Sequence, residues 1–159
     1  MSVPTWMRSE AKTRFLYRLY KLNVRIGEIV ANHPTKYRAS YGDTLITNAL
    51  NALTHAEIGN GIFMHNGTTE GDYQLRRKHL REAKGYTEAV ATVAYIYLEL
   101  TAKTDGVKKE KILKQEEEIG LECAEISKMI KGVLDSDRKI YNSRPRGPQS
   151  ARNLAPEEQ

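Results

Sequence analysis

Hydrophobic residues recur with a helical period in four separate segments of the chain. In the first segment the apolar positions alternate between spacings of four and three: Phe15, Leu19, Leu22, Ile26 and Ile29. This pattern predicts a helix with one apolar side that faces other helices. Ser9 marks its start, and Pro34 ends it because a proline disfavours helix at the preceding residue, His33.

The second segment begins at Asp43, an N-cap type of residue that follows Gly42. Its apolar positions are Leu45, Ile46, Ala49, Leu53, Ala56 and Phe63. The pattern predicts a helix that continues through Phe63 and ends near the Asn66-Gly67 pair. The alanines, with Gly59 and Gly61, predict a close approach to a neighbouring helix.

Two longer segments follow. The third runs from Asp72 to about Lys103, with one stripe of Leu80, Ala83, Val90, Ala94 and Tyr97 beside a second of Tyr86, Ala89, Val93, Ile96 and Leu100. Asp105-Gly106 interrupts the pattern. The fourth runs from about Val107 to Asp137, with Ile112, Ile119, Cys123, Ile126, Ile130 and Val133 at heptad-like spacing.

No segment alternates apolar and polar residues as a strand does. Four helices with short connections predict an all-α fold, an antiparallel up-and-down four-helix bundle. We expect a flexible N-terminus at 1–8, the bundle at 9–139, and a disordered tail at 140–159, where three prolines and no periodicity occur.

Composition narrows the class of protein. A chain of 159 residues, 40% hydrophobic, is long enough for one domain with a real core. Its single cysteine, Cys123, has no intramolecular partner, which favours a reducing, cytoplasmic setting. No apolar run approaches the roughly 20 residues of a membrane span, and the first residues lack the apolar region of a secretory signal, so we expect no membrane association.

The net charge of +5 is distributed unevenly. Residues 1–42 contain eight basic and two acidic residues, residues 43–71 contain no Lys or Arg, and residues 72–84 contain five basic and two acidic residues. Segregated positive charge is typical of a face that binds a polyanion, although a solvated surface with uneven charge remains the alternative.

Two groups of basic residues are the candidate nucleic-acid contacts. The first lies on one flank of the first helix and in the loop after it: Arg14, Arg18, Lys21, Arg25, Lys36 and Arg38. The second opens the third helix: Arg76, Arg77, Lys78 and Arg81. Positive charge at a helix N-terminus is disfavoured by the helix dipole, so a ligand that neutralises it would explain its presence.

Tyr17, Tyr20 and Val24 form a second apolar stripe on the first helix, roughly opposite the core stripe. A bundle needs only one such stripe, so we expect a contact between subunits, which would form a ring. Deeper burial, or stacking of the tyrosines on bases, remains open.

Catalytic and metal-binding patterns are missing from the sequence. The four histidines, His33, His55, His65 and His79, show no metal-ligand spacing, and no Glu is followed three residues later by His. The run 116–118 is acidic and predicts a solvated helix face, and Cys123 lies on a core stripe. We therefore expect no catalytic residue, no cofactor and no metal site, and a protein that is not an enzyme.

The run KLNVRIGEIVANHPTKYRASYGDTLITNALNALTHAEIGN and the later RRKHLREAKGYTEAVATVAYIYLEL resemble one known family. That family joins the intervening-sequence proteins of large-subunit ribosomal RNA with the accessory variability determinant of diversity-generating retroelements. The resemblance covers about residues 10–137. It consists of a basic first helix, a Pro-Lys-Tyr loop, an Ala-rich second helix, an Arg-rich start of the third helix and an amphipathic fourth helix.

The resemblance implies a bundle that assembles as a homopentameric ring and binds both a reverse transcriptase and its template RNA. The ribosomal branch commonly carries text like IPxNIAEG near the start of the second helix. The comparable stretch here, 47–53, has neither that proline nor a basic residue. We therefore favour a non-enzymatic RNA-binding accessory subunit of a retroelement reverse transcriptase. The alternatives are a ribosomal-RNA-associated intervening-sequence protein and a purely structural oligomerisation module.

Overall fold

The computed structural model describes residues 14–145, which form four helices and no strand. The helices are α1 (Arg14–Asn32), α2 (Asp43–Gly61), α3 (Glu70–Ala102) and α4 (Lys109–Ser143). Each helix packs against the next one in the chain, and α1 also packs against α4. The prediction of an all-α, four-helix fold is confirmed.

The core lies where the helical stripes meet. The five predicted core residues of α1 are at most 3% exposed, and the first stripe of α3 is buried as well. Five of the six predicted core positions of α4 are also buried: Ile112, Ile119, Cys123, Ile126 and Ile130. Val133 is only partly buried but packs against the same cluster. The heptad-like spacing therefore identified the core correctly.

The connection from α1 to α2 is helical for most of its length. A 3₁₀ turn (Thr35–Tyr37) leads into a π-helical turn (Arg38–Gly42), which continues directly into α2. The N–H of Asp43 donates to the carbonyl of Arg38, and Gly42 already has helical backbone angles. Asp43 is therefore the first residue of α2, as predicted, but it does not cap the helix.

The end of α2 differs from the prediction. The helix stops at Gly61, and Phe63 is 78% exposed, so the expected continuation through Phe63 to 66–67 is wrong. Gly59 does approach its neighbour closely, since a Cβ there would lie 2.9 Å from the side chain of Leu80. A Cβ at Gly61 would meet nothing within 4 Å, so of the two glycines only Gly59 lies close to the neighbouring helix.

The last helix extends farther than its apolar pattern indicates. α4 continues to Ser143, and the ring of Tyr141 stacks on Tyr73 of α3 with centroids 4.0 Å apart. The guanidinium of Arg144 lies over Tyr141 and donates to the carbonyl of Thr68 at 3.2 Å. The expected start of a disordered tail at residue 140 is therefore wrong. The predicted flexible segment 1–8, the helix start at Ser9 and the remainder of the predicted tail, 146–159, lie outside the described residues.

None of the four described helices has both the length and the apolar character that crossing a membrane requires.

Candidate nucleic-acid interface

A groove of about 490 Å³ between α3 and α4 brings together basic side chains from both helices. The cationic residues that line it are Arg77, Arg81, Lys84, Lys131 and Arg138. Two acidic residues, Glu88 and Asp135, line it as well, which leaves a surplus of three positive charges.

Helical spacing explains why these side chains share one groove. Arg77, Arg81 and Lys84 follow one another at intervals of four and three on α3. Lys131 and Arg138 are seven residues apart on α4, again on one side of their helix. Because α3 packs along α4, the two rows face the same channel.

Among the described residues, most of the cationic side chains of the groove have no ion-pair partner. Lys84 pairs with Glu88, which also accepts a hydrogen bond from Ser127 at 2.9 Å. The hydrogen bond from Lys84 is the largest cause that lowers the pKa of Glu88, so this carboxylate stays charged. Within residues 14–145, the other four cationic side chains of the groove make no ion pair.

Arg76 is the exception among the predicted contacts of α3. It is buried, and its guanidinium donates to both carboxylate oxygens of Asp137, at 2.6 and 3.3 Å. It also donates to the carbonyls of Gly59 and Ile62, each at 2.9 Å, at the end of α2. The assignment of Arg76 as an RNA contact is therefore corrected, because its guanidinium joins α2, α3 and α4 internally.

The basic cluster of α3 does not lie in the first turn of the helix. α3 begins at Glu70, and the hydroxyl of Thr69 accepts from the N–H of Asp72 at 3.1 Å as a cap. The first turn contains Glu70 and Asp72, which the dipole favours. Arg76 and Arg77 lie in the next turn, beyond the range in which the dipole acts strongly. The expectation that the dipole disfavours this cluster is therefore wrong.

The basic flank of α1 faces acidic residues of α4. Arg18 lies 3.3 Å from Glu122 and 3.8 Å from Glu125, and Arg25 lies 3.2 Å from Glu118. We call this set of pairs the α1–α4 seam. The two arginines of this seam already have counter-charges, and no residue of α1 lines the α3–α4 groove.

The remaining predicted basic contacts are exposed but dispersed: Arg14, Lys21, Lys36, Arg38 and Lys78. The ammonium groups of Lys21 and Lys36 lie 5.9 and 5.2 Å from the ring centroids of Tyr17 and Tyr37. None of these five residues lines the α3–α4 groove. Of the ten predicted contacts, the structure places Arg77 and Arg81 in that groove.

The second apolar stripe of α1 faces outward. Tyr17 and Tyr20 are each 39% exposed, and Val24 is 45% exposed. These side chains therefore have apolar surface available to a partner, and they are not buried within their own chain.

The histidines are closer together than their sequence spacing indicates. The ligand atoms of His55, His79 and Glu82 all lie within 4.8 Å of one another. The spacing of the histidines in the sequence gives no sign of this proximity, which arises from the packing of α2 on α3. The order Glu-x-x-His is absent from the sequence, but the reverse order, His79-x-x-Glu82, is present and places both side chains on one side of α3.

Two other side chains, Cys123 and Glu116, have altered acidity. Burial raises the pKa of the Cys123 thiol to about 12, so the thiolate nucleophile is disfavoured, as expected of a core cysteine. Glu116 is only partly exposed, and burial followed by the nearby carboxylate of Glu99 raises its pKa. It is therefore not part of a solvated face, whereas Glu117 and Glu118 are exposed.

The sequence pattern did not identify Lys84, Lys131 and Arg138 as groove residues. The fourth segment has more acidic than basic residues. Its net charge therefore does not reveal that the acidic and basic side chains lie on different sides of the helix. A helical wheel separates them, because Lys131 and Arg138 lie on a different side of α4 from Glu118 and Glu122.

Comparison with protein-family models, with curated proteins and with solved structures gives no significant match for this chain.

Proposed function

We propose that the α3–α4 groove binds RNA phosphates and that the protein is a non-enzymatic, RNA-binding accessory subunit of a reverse transcriptase. The observation that carries the proposal is the convergence of five cationic side chains from two helices on one groove, with a surplus of three charges. The assignment to a diversity-generating retroelement rests on the sequence resemblance.

The binding mode would be electrostatic. Arginines form two parallel hydrogen bonds to a phosphate, and each phosphate that is neutralised releases counterions from the RNA. Arg77, Arg81 and Arg138 supply such guanidinium groups, while Lys131 adds a point charge. Such contacts hold the backbone of template RNA in position without reading its sequence.

Self-assembly would enlarge this surface. The exposed stripe of Tyr17, Tyr20 and Val24 offers an apolar contact, and its burial between subunits would contribute on the order of 1–3 kcal/mol for each large side chain. A homopentameric ring, as the resemblance implies, would repeat the groove around its circumference and increase avidity for a long RNA.

RNA titration tests the proposed surface. We expect the double variant Arg77→Ala/Arg81→Ala to weaken binding of a labelled single-stranded RNA. The slope of log affinity against log salt should become shallower by roughly 0.7 to 0.9 for each phosphate that the variant no longer neutralises. Fluorescence anisotropy at several salt concentrations measures both effects.

The matched control also removes two arginines, but from the α1–α4 seam. Because Arg18 and Arg25 are paired with glutamates, Arg18→Ala/Arg25→Ala should change RNA affinity much less. An equal loss of affinity in both double variants, or salt-independent binding by the native protein, would contradict the assignment to the groove.

Light scattering after size exclusion tests the assembly. We expect a closed oligomer that dissociates when Tyr17 and Tyr20 are replaced by Ser, since the interface then lacks its two largest apolar side chains. A native species near 18 kDa at tens of micromolar protein would refute the ring, with the chain mass as the reference. Ile58→Ser, an exposed apolar residue on α2, is the control.

A further inference from the structure

Three side chains that the proposed RNA surface does not use converge between α2 and α3. The Nδ1 atom of His55 lies 2.9 Å from Nδ1 of His79 and 2.9 Å from Oε2 of Glu82. The third side of this triangle, from His79 Nδ1 to Glu82 Oε2, is 3.6 Å. One helix supplies His55, and the other supplies His79 and Glu82 at a spacing of three residues.

Hydrogen bonds satisfy this triangle only in part. The Nδ1 atom of His55 carries either one proton or one lone pair. With a proton it donates to either His79 or Glu82, and the other acceptor is left without that bond. With a lone pair it faces the negative oxygen of Glu82, which is unfavourable. A cation shared by the three atoms removes this conflict because all three then act as electron-pair donors.

The distances fit a metal ion. A point about 2 Å from all three ligand atoms exists for a triangle of these dimensions, and that is the length of Zn–N and Zn–O bonds. The two imidazole centroids are 5.1 Å apart. Two imidazoles that each bind one ion over about 2 Å, at a near-tetrahedral angle, place their centroids roughly this far apart.

The surroundings fix the ligands and leave access from solvent. The ring of His55 also stacks on Tyr86, with centroids 5.5 Å apart and planes 12° apart, which restrains its orientation. The side chains of His55, His79 and Glu82 are 24%, 17% and 37% exposed. An ion can therefore enter from water, and a water molecule can occupy the fourth coordination position.

We propose that His55, His79 and Glu82 form a binding site for one divalent transition-metal ion, with Zn²⁺ as the best match to two imidazoles and one carboxylate. Bound there, the ion ties α2 to α3 close to the contact of Gly59 with Leu80. Because a folded site binds the ion and an unfolded chain does not hold the three ligands together, binding stabilises the folded protein.

The test uses the full chain without an affinity tag, treated with a chelator and dialysed. Calorimetric titration with Zn²⁺ alone should give one ion per chain, and the thermal midpoint should rise with added Zn²⁺. Substitution of Co²⁺ should give the visible absorption of a four-coordinate ion. Binding of the native protein that is undetectable at high-micromolar Zn²⁺ would overturn the proposal.

Single-site variants identify the ligands. His55→Ala and His79→Ala should each weaken Zn²⁺ binding by at least about tenfold. This is a lower bound, because loss of a residue that only hydrogen-bonds to a metal ligand already costs about 10–100-fold in affinity. Glu82→Gln keeps the shape of the side chain and should also weaken binding and change the Co²⁺ spectrum. His65→Ala removes an exposed histidine outside the cluster and should leave the affinity unchanged. Native affinity in the three cluster variants, or an equal loss in His65→Ala, would overturn the assignment.

Discussion

The α1–α4 seam and the α3–α4 groove both contain rows of basic side chains, but the two regions differ in what lies opposite. In the seam, Arg18 and Arg25 meet glutamates that project from α4. In the groove, Lys131 and Arg138 of α4 lie on the same side as the arginines of α3. One helix therefore neutralises one basic row and reinforces the other.

This difference shows that a basic segment does not by itself make an anion-binding surface. The first 42 residues have the larger excess of positive charge in the sequence, yet two of their arginines, Arg18 and Arg25, are already paired with glutamates of α4. A pair of exposed charges is worth little to stability, typically below about 1 kcal/mol, but it lowers the local positive potential. The availability of a charge to a partner depends on the neighbouring helix.

The largest effect, a loss of stability, is expected at Arg76. This arginine is buried and paired, whereas Arg77, the next residue, lines the groove. Arg76→Ala removes the partner of the buried Asp137 and leaves the carbonyls of Gly59 and Ile62 without their donor. Breaking a buried ion pair in this way costs about 3–5 kcal/mol of unfolding free energy. Urea denaturation measures this destabilisation.

Arg77→Ala is the matched control, since it deletes the same side chain one residue away from a partly exposed position. Its unfolding free energy should stay within about 0.5 kcal/mol of the native value. Equal destabilisation by the two variants would show that Arg76 does not hold the three helices together. Because Arg76 stabilises the fold, RNA-binding variants should leave it in place.

An intermediate effect is expected from the glutamates of the seam. Glu118→Gln/Glu122→Gln should cost only about 0.2–1 kcal/mol for each ion pair that is removed. The same change removes the counter-charge of Arg25 and the nearer of the two counter-charges of Arg18, while Glu125 remains 3.8 Å from Arg18. RNA affinity should therefore rise and its salt dependence should steepen. Anisotropy titration measures the change, and unchanged affinity would show that the seam lies away from bound RNA.

The smallest effect concerns Glu116, which lies next to Glu99. Among residues 14–145 it has no arginine partner, unlike Glu118 and Glu122 of the seam. Burial, and then Glu99, raise its pKa in the folded state above 4.5, the ordinary value. Its contribution to stability is therefore present below that value and is lost as the pH rises through the folded-state pKa. Glu116→Gln should stabilise the protein at neutral pH by roughly 0.2–0.5 kcal/mol, the scale of a like-charge contact on helices.

Thermal unfolding at about pH 7 and about pH 4 tests the direction of this effect. The gain in stability from Glu116→Gln should disappear at the lower pH, because the native carboxyl is then protonated. Glu117→Gln, at an exposed neighbouring position, should show little change at either pH. A larger gain in stability from Glu116→Gln at the lower pH would contradict the raised pKa of Glu116.

The sequence predicts the fold well because burial in a helical bundle follows a simple period. The stripe of Phe15 to Ile29 is buried as expected, and α1 ends before Pro34. The ends of the other helices were less predictable, since they depend on contacts between distant residues. α4 is extended by the stacking of Tyr141 on Tyr73, which no local pattern records.

The candidate sites were predictable only in part, for the same physical reason. Arg77 and Arg81 were identified as candidates from their local cluster. The neighbouring Arg76 is instead buried against Asp137, and this partner could not be predicted because it lies 61 residues away in the sequence. Likewise, His55 and His79 meet only through the packing of α2 on α3. Side-chain partners across helices are set by tertiary contacts, which a single sequence does not display.

The π-helical turn Arg38–Gly42 has a consequence for how the gene can vary in length. Such a turn encloses one residue more than an α-helical turn, and Ala39 and Ser40 within it are exposed. Loss of one codon here would let the segment close as an ordinary α-helical turn, with α2 kept in register. The same loss inside α2 would rotate Ala49, Ala52 and Ala56 by about 100° out of the core. We therefore expect single-residue length differences among relatives of this chain to fall in the turn before α2, and the helix itself to keep its length.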